Sequence, residues 1–93
     1  MTKQEARDFF NGRVKEFLVR CSIKGEDLCA RTGLLKTTLG AVLQGNFTRC
    51  HHDDLLSVAK VIFPPADNPK SYGDMERAIH VIFDVVQSGN VTV

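Results

Sequence analysis

The sequence predicts an all-α fold, a bundle of about five helices, and three observations lead there. Apolar residues recur at helical spacing in five successive stretches, at 2–20, 26–32, 33–45, 55–62 and 74–87. Glycines and prolines stand between those stretches, at Gly25, Gly33 and Gly45 and through the run Phe63 to Gly73. A chain of 93 residues with 43% apolar residues has the size and composition of one small globular domain, or of one domain with an appendage.

The first helix is predicted from about Thr2 to Arg20. Thr2 and Glu5 have capping-box spacing, and Ala6, Phe9, Phe10, Val14, Phe17, Leu18 and Cys21 follow on one face. Those aromatics read as core, because the charged Arg13, Lys15 and Glu16 lie elsewhere on the helix. Ser22 to Gly25 breaks the pattern. A short second helix is expected over Glu26 to Thr32, with Leu28 and Cys29 inward, Arg31 outward and its acidic residues at its N-terminus.

Gly33 falls where a chain leaving a helix commonly needs a left-handed residue, and the next helix begins about two residues later. That third helix lies between Gly33 and Gly45 and is two-sided. Leu35, Leu39, Val42 and Leu43 make an apolar stripe, while Lys36, Thr37, Gly40, Ala41 and Gln44 make a small polar face. A short helix, a tight glycine turn and a second amphipathic helix form a helix-turn-helix.

The run Cys50-His51-His52-Asp53-Asp54 holds five residues of metal-binding type, but adjacent residues rarely aim at one tetrahedral centre, so no metal is expected. It reads instead as a polar loop in which Asp53 or Asp54 caps the fourth helix. The prolines of FPPADNPKSYG suggest a connector that cannot continue a helix. A last helix is then expected over Asp74 to Gln87, with Met75, Ala78, Ile79, Ile82, Phe83 and Val86 on one face. Gly89 ends it, and Asn90 to Val93 is a frayed tail or a short strand. His80, one turn from Glu76 and Asp84, is expected to make a local hydrogen bond or ion pair.

Charge divides unevenly along the chain. Residues 12–49 hold seven basic and three acidic residues, residues 50–93 three basic and six acidic, so a basic segment suited to phosphate adjoins an acidic one. The three cysteines form no close-spaced pair, which points to reduced thiols in a cytoplasm. There is no run of 18 apolar residues for a membrane span, and charges of both signs occupy the amino end in place of a leader's apolar core. No paired carboxylates in a pocket, glycine-rich phosphate loop or activated nucleophile is legible, so neither an enzyme nor a cofactor is expected.

The stretch Leu28 to Gly45, LCARTGLLKTTLGAVLQG, resembles without a gap the helix-turn-helix of the Xre, Cro and lambda-repressor-like regulators, roughly L-A-x-x-x-G-V-S-x-x-T-I-S-x-I-E-x-G. Leu28, Gly33, Thr38 and Gly45 match outright, and Cys29, Leu34, Leu39 and Val42 match in character. Leu55 to Ile62 is similar to the family's next helix, so the likeness covers about Glu26 to Ile62. Three positions depart from it: Gly25 stands where a phosphate-contacting glutamine is common, Leu35 in the capping position of the recognition helix, and Leu43 in place of a glutamate.

The resemblance implies a lambda-repressor-like helix-turn-helix bundle that binds double-stranded DNA, with residues 1–63 as the DNA-binding domain. The connector, 64–73, and the last helix and tail, 74–93, complete the chain, either as a dimerisation element or within the same single domain. In the major groove Lys36 is placed to donate to guanine and Thr37 to meet a thymine methyl. By resemblance Thr38 meets a phosphate, and Ala41 and Gln44 lie farther along. Asn46, Thr48 and Arg49 are candidate phosphate contacts, with Arg13, Lys24 and Arg31 adding salt-sensitive ones. A homodimer pairing through Met75, Ile79, Ile82, Phe83 and Val86 is expected to read a palindromic operator as a transcriptional regulator, a repressor. The competing class is a protein-interaction module of the same fold, an anti-activator or antitoxin-like subunit, favoured by the greasy Leu35 and Leu43.

Overall fold

The computed structural model describes residues 2–48 and 50–84. They form α1 (Lys3–Arg20), α2 (Gly25–Thr32), α3 (Lys36–Leu43), α4 (His52–Ile62) and α5 (Pro69–Phe83), with no strand among the described residues. No helix among them is long and apolar enough to cross a membrane.

α1 starts on the expected capping box. The Glu5 amide donates to Thr2 Oγ1 at 3.1 Å and the Thr2 amide donates back to Glu5 Oε1 at 2.9 Å. The bond from the Thr2 backbone, seconded by the one with its hydroxyl, holds the Glu5 carboxyl below its ordinary range. The helix ends in a Schellman turn: Ser22 takes the left-handed conformation at φ 53°, Ile23 N donates to the Leu18 carbonyl and Ser22 N to that of Val19, both at 3.1 Å. The same turn leaves Cys21 exposed rather than in the apolar stripe. Gly12 lies inside α1 with nothing within 4 Å of an added Cβ. Gly12→Ala is therefore expected to stabilise the chain by about 1 kcal/mol, read as a raised urea midpoint with an unchanged slope.

α2 begins one residue earlier than its acidic first turn suggests. Gly25 is its first residue, and Asp27 turns back so that Lys24 N donates to its carboxylate at 3.0 Å. Gly33 closes it in the left-handed conformation, its amide donating to the Cys29 carbonyl at 2.8 Å. At α4 the N-cap residue is His51, two and three positions ahead of the expected aspartates. Asp54 acts from the third position, accepting from His51 N at 3.0 Å.

The largest departure from expectation is α5. It begins at Pro69, inside the stretch read as a connector, and ends at Phe83. Proline at the first helical position loses no hydrogen bond and presets φ, so Pro69 starts a helix where Pro64 and Pro65 end one. Tyr72 N donates to the Asn68 carbonyl at 2.9 Å and fixes that first turn. Gln87, Gly89 and the tail Asn90 to Val93 lie outside the described residues, as does Val86.

All five helices contribute to one buried cluster. α5 packs on α1 and on α4, and α3 sits between α1 and α2. Met75 and Ile79 are 0% exposed and Ile82 7%, within the single chain. Their side chains are thus enclosed within the one chain, whereas Phe83, alone of the described members of the set expected to pair two copies, is half-buried. That buried cluster takes residues from both sides of 64–73. An ion pair between Lys3 Nζ and Asp84 Oδ2, 2.5 Å, joins the start of α1 to the end of α5.

Candidate functional site

α3 is held from behind by four contacts. Leu39 and Val42 are buried on its inner face. Asn11 Nδ2, on α1, donates to the Val42 carbonyl at 2.5 Å and satisfies an acceptor in the helix's last turn. The Cys50 thiol faces the Thr38 carbonyl at 3.9 Å. Phe47, buried just past the helix, meets Phe10 edge to face at 6.0 Å and pulls the following loop onto α1. Asn11 was not legible as a positioning residue, because its partner is 31 residues away in sequence.

The helix's two ends differ. Leu35 is the N-cap residue and provides no side-chain cap. It is 71% exposed, so it leaves the apolar stripe to Leu39 and Val42, with Leu43 half-buried. The reason is geometric: an N-cap residue takes an extended backbone, here φ −72° and ψ 149°, and its side chain no longer follows the helical stripe. The C-terminal end closes in a Schellman turn, with Gly45 at φ 78°, Asn46 N donating to the Ala41 carbonyl at 2.8 Å and Gly45 N to that of Val42 at 3.0 Å.

The outer face carries Lys36, Thr37 and Gln44, all exposed, and the half-buried Thr38, Gly40 and Ala41. An added Cβ on Gly40 would find nothing within 4 Å, so no neighbour inside the chain requires glycine there. Asn46 and Thr48 are exposed on the loop beyond. Asn46 Oδ1 accepts from Thr48 N at 3.2 Å and from its hydroxyl at 2.7 Å. The Thr48 hydroxyl proton is thereby used within the loop. Arg49 lies outside the described residues.

Among the basic residues, Lys24, Arg31 and Lys36 are exposed and make no ion pair with a described carboxylate. Lys24 and Lys36 line one groove between α2 and α3, together with Glu26, Leu39 and Gly40. Arg13 is engaged elsewhere. It pairs with Glu16 at 3.2 Å, lies over the Phe9 ring at 5.1 Å and borders a different groove with Phe63 and Asp74.

The cysteine, histidine and aspartate run spreads apart in space. Cys50 points into the core, where burial, and secondarily the charge of Asp54, push its thiol above the ordinary range. His52 stacks on His80 at 5.5 Å with 15° between the rings and meets Phe83 edge-on at 6.1 Å, packing α4 against α5. Nearby, Asp84 engages Lys3, and Glu76 accepts from the Tyr72 hydroxyl at 3.5 Å. Of the three thiols only Cys21 is exposed. One fast-reacting thiol is thus expected with a colorimetric disulfide reagent at neutral pH, the other two appearing on unfolding; three equal rates would contradict this packing.

No family model, curated protein or solved structure matches the chain.

Proposed function

We propose that the chain is a sequence-specific DNA-binding regulator, a repressor, in which α2 and α3 act as the helix-turn-helix of a lambda-repressor-like bundle and α3 enters the major groove. The observation that carries this reading is the contrast between the two sides of α3. Its inner side is fixed by Asn11, Phe47 and the core, while its outer side presents Lys36, Thr37 and Gln44 to solvent, beside cations with no described carboxylate partner. A rigid helix with a free polar face and nearby positive charge suits base-edge reading backed by phosphate contacts.

Lys36 sits in the first turn, the part of a recognition helix that comes nearest the bases, and can donate to guanine O6 and N7. Thr37 offers a hydroxyl and a methyl beside it. Gly40 and Ala41 add almost nothing to direct reading but let the backbone approach closely, so DNA shape carries part of the specificity. A palindromic site read by two copies remains the proposed mode of use. Met75, Ile79 and Ile82 are enclosed within one chain, so this reading does not place the pairing surface on that face.

Selection from random duplexes at two salt concentrations tests the reading. A palindromic preferred site with a steep salt slope is the expected result. Lys36→Ala is expected to lose preference at one or more base positions, at about 1–3 kcal/mol each, with its melting curve unchanged. Unchanged site selectivity in that variant removes α3 from the recognition role. The exposed Leu35 favours a second reading, a protein-binding module of the same architecture; absence of duplex binding even at low salt selects it.

A further inference from the structure

Two grooves border the far end of α3, and they share Gln4 and Gly45. One runs between α1 and α3 and is lined by Asn11, Lys15 and Gln44. The other runs between α1, the loop after α3 and the end of α5, and is lined by Arg7, Asn46 and Thr48 together with Phe47, Ile82 and Phe83. Together they make one trench. Its first wall is the end of α3 with its loop, and its second is a single face of α1, where Gln4, Arg7, Asn11 and Lys15 follow at i, i+3, i+7 and i+11.

Beside the apolar Leu43, Phe47, Ile82 and Phe83, the lining carries groups suited to a polyanion. Side-chain amides come from Gln4, Asn11, Gln44 and Asn46, and cations from Arg7 and Lys15. Neither cation pairs with a described carboxylate. Among the described lining residues the single carboxylate is Asp8, which accepts from Gln4 Nε2 at 2.9 Å. Arg7 and Lys15 are separated by a helical rise of about 12 Å, far enough apart to meet different phosphates.

We infer that this trench seats the sugar-phosphate backbone of a DNA strand beside the major groove, with Arg7 and Lys15 contacting phosphates. The inference rests on the DNA-binding reading and extends its footprint from Gln44, Asn46 and Thr48 across to α1. The sequence had directed attention to Arg13 instead, two positions from Lys15 and on another side of the helix, where Glu16 and Phe9 engage it.

The experiment is the salt dependence of binding by the full chain to a duplex carrying its selected site. Arg7→Gln and Lys15→Gln are each expected to make the slope of log K against log salt shallower by about 0.9, and together by about twice that. The selected base sequence stays the same, because phosphate contacts position without specifying. Arg77→Gln removes the same charge from the α5 surface and is expected to leave the slope as it was. Arg7→Lys with Lys15→Arg restores it.

A wild-type slope in the double variant, with a native melting curve, overturns the trench and leaves the DNA-binding reading standing. A changed base preference in either glutamine variant overturns it too. Failure of the wild-type chain to bind any duplex at low salt overturns both. Should the double variant not fold, Lys15→Gln alone decides, since that side chain is exposed and an unshifted slope in it removes half of the proposed contact.

Discussion

Ile79→Ala is expected to lower the stability of the chain by about 2–5 kcal/mol, independently of protein concentration. Ile79 is completely buried, on the helix that packs against both α1 and α4. Removing its branched side chain loses the transfer free energy of the missing methyl and methylene groups. It also leaves a cavity that three packed helices can close only in part. For a chain of this size each kcal/mol lowers the melting temperature by about 4–8 °C, so a fall of 10 °C or more is the expected reading. The same melt run at two concentrations separates a core role from a pairing role. A dimer held together by this face would show a concentration-dependent loss, whereas a residue enclosed within one chain shows none. A loss below about 1 kcal/mol at both concentrations would contradict the packing described for α5.

Phe10→Ala is expected to cost about 3–5 kcal/mol and to loosen the candidate site as well as the core. A domain of this length has a total stability of about 5–14 kcal/mol, so the substitution removes a large share of it. Phe10 is 0% exposed at the middle of α1, and its ring meets that of Phe47 edge to face. Phe47 in turn anchors the loop that carries Asn46 and Thr48. Without the Phe10 ring that anchor has a void beneath it, and α3 keeps fewer restraints at its C-terminal end. Urea unfolding measures the first effect, and amide exchange at residues 45–48 the second. Protection at those amides that falls no more than global stability requires would show that the loop holds its place without Phe47 packing.

What was readable before any tertiary contact was known was local. The capping box at Thr2 and Glu5, the left-handed glycine at 33, and the inward positions Ala6, Phe10, Val14 and Phe17 of α1 and Leu28 and Cys29 of α2 follow from side-chain chemistry within a few residues of each site. Backbone hydrogen bonding and helical periodicity act over one to three turns, so a linear pattern carries them. Misreadings occurred where one local rule met another. Prolines signalled a connector, yet Pro69 is a helix starter because its neighbours continue the pattern. Leu35 kept the apolar spacing but fell on a cap, and spacing ceases to predict burial where helical geometry has not begun.

The sequence by itself determined an all-α chain, the order of its helices and which side of α3 is polar. Only the tertiary structure decided that α5 closes the core on Met75 and Ile79, that Arg13 is engaged with Glu16 and Phe9, and that Arg7 and Lys15 face the end of α3 across a trench. Only there, too, did Asn11 meet the Val42 carbonyl and His52 meet His80. The physical reason is common to all of these. Each pairs groups far apart along the chain, and an apolar stripe or a charged side chain carries no record of which distant surface it will meet. That choice is made when five amphipathic helices find the one arrangement that buries their faces together.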